Sequence, residues 1–360
     1  FRVLTDTPKA YLSMMLLFIT FLCVVCYCEC FNIKRIGRWT ESGQANWSNS
    51  GFEMVTTSPM TVTFNEYVDC NYYVETFVDG ISQGRVHISP ENKELNIALA
   101  GHVKVMKVTE ASFIKNGEKA IGIMQIYNIS GSGTFSNPDT EISSKSQHKI
   151  QVFGDSLSCG YGVLGSMPCD FTPETENAQL AWPTLTANAL NAELNQVTWS
   201  GKGVVRNHGD ILQISEYPLP YYYNRTLGLQ EGINSNFPGE TWDTSTYDAD
   251  VVMVLLGSND YSSEPYPSDE QFIQGFISFV HQIKSDYSRA KIILMCSPDE
   301  ANTKKCINVA SVATLSEVYF MQIGWTPDWD GCANHPSMLQ QKYMADTYII
   351  PYMKTLLFAW

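Results

Sequence analysis

Basic residues are scarce in this chain of 360: 23 Lys and Arg stand against 37 Asp and Glu, for a formal net charge of -14. That balance excludes nucleic acid and anionic membrane surfaces as partners, since both are met with clustered Lys and Arg. It suits a protein acting on neutral or cationic material. Charged residues of both signs make up only 17% while hydrophobic residues reach 44%, which excludes a disordered chain. Past residue 30 no apolar run is long enough to cross a membrane. No internal repeat and no low-complexity tract occurs. Histidines number six, and Cys332-Ala333-Asn334-His335 has no second ligand pair at zinc spacing, so no metal or organic cofactor is implied.

What is present points outward from the cell. Residues 14–25 are apolar except for Thr20, with Arg2 and Lys9 before them and Cys26, Cys28 and Cys30 after. Residues 1–30 are therefore expected to be a leader and signal peptide, cut between Cys28 and Phe31. Six cysteines follow, Cys70, Cys159, Cys169, Cys296, Cys306 and Cys332, an even number that suggests disulfides in an oxidising compartment. Cys159 with Cys169 would close a small loop; the spacing leaves the other pairings open. Sequons begin at Asn46, Asn128 and Asn224, as in a secreted glycoprotein. The 19 Tyr and 8 Trp suit either carbohydrate-binding surfaces or large aromatic cores.

The chain is long enough for two cores. Residues 31–140 carry short alternating runs at 53–55, 60–64, 72–78, 85–88, 95–99, 102–109 and 121–129. Turn signals such as Asp79-Gly80 and Asn116-Gly117 separate them, and a β-sandwich is expected. Gly131-Ser132-Gly133 and Ser136-Asn137-Pro138 read as a linker. From residue 149 to 360 the pattern changes. Compact apolar runs at 150–153, 251–256 and 292–295 read as strands buried on both faces. Helical patterns span 179–194, 269–287 (with Ser268 as N-cap) and 336–357 (with Pro336 at the first position). Alternating β and α elements imply a parallel sheet covered by helices.

Four blocks in this second half carry chemistry. They are Gly154-Asp155-Ser156-Leu157, Trp199-Ser200-Gly201-Lys202-Gly203, Gly257-Ser258-Asn259-Asp260 and Asp330-Gly331-Cys332-Ala333-Asn334-His335-Pro336. Each follows a strand or precedes a helix, so each can reach the carboxyl edge of one sheet, where open α/β folds gather their sites. Acyl transfer needs a serine nucleophile, an imidazole base and donors for the oxyanion. Ser156 and His335 are the nucleophile and base candidates. The N–H groups of Ser156 and Gly201 and the side-chain amide of Asn259 are the donor candidates. Asp155 is assigned to shaping the turn, and His208 to the surface. Tyr261 and Trp329 flank the blocks and are candidates for stacking on sugar rings, with core packing the alternative.

These four ordered blocks resemble the SGNH, or GDSL, hydrolases, whose Ser, Gly, Asn and His match Ser156, Gly201, Asn259 and His335. Ser158-Cys159-Gly160-Tyr161-Gly162, Pro173-Glu174-Thr175-Glu176-Asn177 and Gly331-Cys332 before His335-Pro336 are similar to family two of the carbohydrate esterases. The resemblance implies a jelly-roll-like N-terminal β-sandwich before a flavodoxin-like α/β/α hydrolase domain. It also implies a serine esterase that removes acetyl groups from plant cell-wall polysaccharides; with the leader and cysteines already noted, a secreted monomer is expected. The alternatives are a GDSL lipase or thioesterase for longer acyl chains, and an inactive carbohydrate-binding protein. One departure stands out: Cys332 occupies the place, three residues before His335, where most SGNH enzymes have Asp. A Ser–His dyad oriented by a backbone carbonyl is the preferred reading, with Asp330 as third member the alternative.

Overall fold

The computed structural model describes residues 31–115, 118–140, 148–229, 240–297, 303–324 and 331–358. The expected leader at 1–30, and Trp329 and Asp330, lie outside them.

The alternating runs become strands of two antiparallel sheets. In one, the spatial order is Lys34–Ile36, Gly51–Thr56, Gly101–Lys107, Tyr72–Val78, Ile81–Ile88, with Phe135–Ser136 also paired to Gly51–Thr56. In the other it is Gln44–Ala45, Met124–Gly131, Met60–Phe64, Glu94–Ile97. Tyr72–Val78 alternates buried and half-buried positions along its length, as a strand with one face on a core must. Phe52, Met54, Tyr72, Val74 and Val103 of the first sheet share one core with Val62, Phe64 and Met124 of the second, making a β-sandwich. Asp79 and Gly80 sit at φ 49° and 78° between the hairpin strands Tyr72–Val78 and Ile81–Ile88. Positive φ at both turn residues matches the twist of the strands they join.

The stretch read as a linker is part of these sheets. Gly131 closes the Met124–Gly131 strand opposite Met60, and Phe135 and Ser136 pair with Thr56 and Val55. The glycines there mark close backbone approach rather than freedom: a Cβ on Gly131 would lie 2.8 Å from the Pro59 carbonyl.

The second half is a five-stranded parallel sheet in the order Ala192–Thr198, His148–Gly154, Val251–Leu255, Lys291–Cys296, Val318–Gln322. Counted along the chain this is 2-1-3-4-5, the flavodoxin-like order. Every residue of the central Val251–Leu255 strand is buried, which explains its unbroken apolar sequence. Helices Asp269–Asp286 and Thr303–Val312 cover one face, packing Phe272, Phe276, Phe279 and Val309 on Phe153, Val252 and Leu294. Trp182–Ala189 and the C-terminal helices cover the other, packing Trp182, Met344, Ile349 and Met353 on Val152, Met253 and Ile293. Ser268 caps Asp269–Asp286 reciprocally: its hydroxyl accepts the Gln271 N–H at 3.1 Å and Gln271 Oε1 accepts the Ser268 N–H at 2.8 Å.

Two helices differ from expectation. The run 179–194 is a short 3-10 turn, the helix Trp182–Ala189, and the start of a strand. Asn191 at φ 48° turns the chain, and Ala192 enters the sheet beside His148. The last helical region starts at Met338, not Pro336; Ser337 is its N-cap, accepting the Gln340 N–H at 3.3 Å.

The two halves dock through the segments around residues 46–49 and 107–111. Trp47 of the sandwich unit is fully buried in the core of the second half, edge-on to Trp199 at 5.9 Å. Asn49 Nδ2 donates to Thr184 Oγ1 at 2.7 Å and to Gln196 Oε1 at 3.1 Å. Asn46 is fully buried and exchanges hydrogen bonds with the Gly228 backbone at 2.8 and 3.1 Å. That placement removes the first sequon as a glycan acceptor in the folded chain, whereas Asn128 is exposed.

Candidate active site

The His148–Gly154 strand ends between neighbours that lead away on opposite sides, so the turn after it opens at the switch point of the sheet. Gly154 permits the turn: a Cβ there would lie 2.2 Å from Ser158 Oγ. Asp155 caps the four-residue helix Ser156–Cys159, with Oδ1 accepting the Leu157 N–H at 3.1 Å. Burial pushes the Asp155 carboxyl up to about 7, partly opposed by that N–H. Its role is structural in geometry: it faces Leu157 and Asn259.

Ser156 is 8% exposed, and its hydroxyl lies 2.8 Å from His335 Nε2. His335 Nδ1 lies 2.9 Å from the Ala333 carbonyl. A carbonyl can only accept, so Nδ1 carries the proton and Nε2 presents its lone pair to the serine. Burial lowers the His335 pKa; the Ala333 carbonyl opposes this, and His208 adds to it.

The histidine loop is held in an unusual backbone form. Ala333 and Asn334 have φ of 55° and 57°, a region that costs a non-glycine residue roughly 1–2 kcal/mol. The surrounding bonds impose it. Cys332 N–H donates to Gly162 O at 3.0 Å, Ala333 N–H to Cys169 O at 2.8 Å, and Gly331 N–H to His335 O at 3.1 Å. A disulfide joins Cys169 to Cys332, and Tyr161 packs against the His335 ring with centroids 4.3 Å apart. Gly165 lets the disulfide in, since a Cβ there would lie 1.9 Å from Cys332 Sγ.

The expected Cys159–Cys169 pairing is therefore not formed. Cys169 bonds Cys332 and Cys296 bonds Cys306, while Cys70 and Cys159 are buried thiols. Cys159 points inward from its short helix, with Sγ 3.4 Å from Ser200 Oγ and 4.0 Å from Glu110 Oε2. The Cys332 sulfur, held in its disulfide, is also removed as a ligand beside His335.

The second and third blocks meet beside the serine. Among the described residues neither the Ser156 N–H nor the Gly201 N–H has an acceptor. Gly201 sits at φ 77° in a turn closed by the Lys202 N–H on the Trp199 carbonyl at 3.3 Å. Asn259 Nδ2 donates to the Lys202 carbonyl at 2.9 Å and lies 3.3 Å from Asp155 Oδ2, joining three blocks. Tyr261 packs edge-on to Phe272 at 5.0 Å, on the core side of its loop.

Three groups to which the sequence assigned no part in the site shape this edge. Asp260 is fully buried and accepts the N–H groups of Val204, Val205 and Arg206 at 2.9, 2.8 and 2.9 Å. The His208 side chain is exposed, as expected, but its N–H caps the Gly201 carbonyl at 2.7 Å. Glu110, from the sandwich unit, accepts the Ser200 N–H at 2.7 Å. Glu110, Cys159 and Glu176 are the one group of potential metal ligands that close among the described residues, within 4.8 Å of one another. Lys107 meets their charge from behind; burial pushes Glu110 up and Lys107 down, both to about 7, and raises Glu176 strongly. A separate cavity of about 740 Å³ between the units, lined by Trp39, Lys104, Trp242 and Tyr247 among others, contains none of the four block residues.

Residues 152–320 match the model of the GDSL-like Lipase/Acylhydrolase family. The chain is 28% identical over 222 residues to the cellulase/esterase CelE of Acetivibrio thermocellus, covering 56% of this chain and 25% of that one. It is 30% identical over 148 residues to an acetylxylan esterase / glucomannan deacetylase of Cellvibrio japonicus, covering 41% of this chain and 39% of that one. The chain thus spans well under half the length of these two curated relatives. A solved family two carbohydrate esterase from Clostridium thermocellum, in complex with cellohexaose, shares the fold with a TM-score of 0.75 at 24% identity, over 90% of this chain and 99% of that one. Residues 152–320 are thus similar to the GDSL-like acylhydrolases, and the chain as a whole shares the fold of the solved family two carbohydrate esterase.

Proposed function

We propose that this protein is an extracellular serine esterase that removes O-acetyl groups from polysaccharide of the plant cell-wall type through an acyl-enzyme. The observation that carries the reading is the Ser156 hydroxyl at 2.8 Å from a histidine nitrogen whose opposite nitrogen is already held by a carbonyl. In the first half-reaction His335 Nε2 takes the Ser156 proton as Oγ attacks the acetyl carbonyl. The oxyanion is met by the N–H groups of Ser156 and Gly201 and by an Asn259 amide proton, now on its long contact with Asp155. Nε2–H then protonates the departing sugar oxygen. Water, deprotonated by the same nitrogen, attacks the acetyl-serine; as the Oγ–acyl bond breaks, Nε2–H returns its proton to Ser156 Oγ and acetate is released.

Curated relatives named as esterases and deacetylases of xylan and glucomannan support acetylated carbohydrate as the substrate class. Two disulfides support an oxidising compartment, and no helix among the described residues is long and apolar enough to cross a membrane. On this reading residues 31–140 and 149–360 are two domains of a monomer, and only the second supplies groups that touch substrate. Hydrolysis of acetyl and octanoyl p-nitrophenyl esters, with acetate release from acetylated xylan, tests it. Preference for acetyl and release of acetate are expected. Preference for octanoyl would make the protein a lipase or thioesterase, and no turnover of either ester would leave a carbohydrate-binding protein.

A further inference from the structure

The turn that presents Gly201 is gripped from the other half of the molecule. Its closing bond runs from the Lys202 N–H to the Trp199 carbonyl, so Ser200 and Gly201 are the two central residues. Gly201 at φ 77° has the value that the third position of a type II turn requires. The central peptide of such a turn, here the Ser200 carbonyl and the Gly201 N–H, takes no part in the closing bond. Its direction is therefore set by what holds the residues on either side.

Those holds are specific. On one side the Ser200 N–H donates to Glu110 Oε2 at 2.7 Å. On the other the Gly201 carbonyl accepts the His208 N–H at 2.7 Å, and the Lys202 carbonyl accepts from Asn259 at 2.9 Å. Glu110 is itself fixed. Its N–H donates to Glu176 Oε1 at 3.0 Å, and its carbonyl accepts Lys107 Nζ at 2.7 Å. It is 3% exposed, and the Cys159 thiol below it leans on the Ser156 carbonyl at 3.7 Å. One carboxylate from the sandwich unit thus touches both the oxyanion turn and the helix that carries the nucleophile.

We infer that Glu110 is a positioning residue: its hydrogen bond to Ser200 aims the Gly201 N–H at the oxyanion of the esterase reaction. The inference rests on the esterase reading above. It gives the sandwich unit a part in turnover without contact to substrate. Loss of an oxyanion donor outright costs about 10²–10³ in kcat. A donor that is present but misaimed should cost less, roughly 10- to 100-fold.

Three variants of the full chain test it on p-nitrophenyl acetate. Glu110→Asp keeps the charge opposite Lys107 but withdraws the acceptor from Ser200. Glu110→Ala removes the acceptor entirely. Glu110→Gln removes the charge but keeps an oxygen at the same reach. The expected result is a 10- to 100-fold lower kcat with KM within threefold of the unaltered chain for Asp and for Ala. Glu110→Gln should stay within threefold in both constants. Thermal melts separate these effects from unfolding. Should Asp and Ala fail to fold, Gln decides alone, because loss of kcat in a folded Gln variant overturns the inference. Full activity in folded Asp or Ala overturns it too, as does a loss confined to KM. No turnover by the unaltered chain would overturn the esterase reading and this one with it; an active chain indifferent to residue 110 overturns only this one.

Discussion

Replacing Asp330 by Asn asks what orients the imidazole. In a Ser–His–Asp triad, exchanging Asp for Asn lowers kcat about 10⁴-fold because the histidine adopts the wrong tautomer. That factor corresponds to about 5.4 kcal/mol of barrier. Here the Nδ1 proton is already placed, since the Ala333 carbonyl 2.9 Å away can only accept. The backbone that aims this carbonyl is fixed by the Cys169–Cys332 disulfide and by bonds to Gly162 and Cys169, none of which involves the side chain at 330. On the dyad reading a carboxylate at 330 adds at most a charge–charge attraction to the imidazolium, about 1 kcal/mol for two unit charges about 4 Å apart in water. Asp330→Asn is therefore expected to lower kcat on p-nitrophenyl acetate by less than about tenfold, with an unchanged melting temperature. His335→Ala, measured beside it, should lose at least about 10³-fold. A loss in Asp330→Asn that equals that of His335→Ala, in folded protein, would refute the reasoning and make Asp330 the third member.

The buried His335 should leave its mark on the pH profile. Desolvation lowers its pKa from 6.5, and the base works when neutral, so the acid limb of kcat/KM should fall below pH 6.5; a limb above that value contradicts the assignment. The two disulfides should separate in effect. Replacing Cys169 and Cys332 by Ser frees the histidine loop and should lower kcat as well as the melting temperature, whereas replacing Cys296 and Cys306, only 10 residues apart, should lower the melting temperature alone. Peptide mass mapping of secreted protein should find Asn46 without glycan, because its amide is buried on the Gly228 backbone; a fully occupied Asn46 would contradict the docking of the two halves.

Much of this architecture is local in origin and so was readable. Val251–Leu255 is apolar at every position because both its faces are covered, and Ser268 with Gln271 announces a helix start within four residues. Ser156 and His335 stand out because each lies in a compact block at the end of an element, and the structure brings them to 2.8 Å. Other features depend on partners far along the chain. Ala192–Thr198 is a strand at the sheet's edge, and its Glu193, Asn195 and Gln196 give it no apolar run to read. Cys169 finds a partner 163 residues away, so proximity in sequence pointed to the wrong pair. The Ala333 carbonyl is a backbone group and has no residue signature at all. Glu110 reaches Ser200 across 90 residues, from a unit whose own pattern speaks only of sheets.

The central claim is that Ser156 is the nucleophile of a Ser–His dyad. Its most direct test is kcat/KM of Ser156→Ala on p-nitrophenyl acetate, with the melting temperature measured on the same preparation. Removal of one hydroxyl at a position 8% exposed should leave the fold intact and lower kcat/KM by at least about 10⁴-fold. Folded Ser156→Ala that retains activity within about tenfold of the unaltered chain would contradict the account.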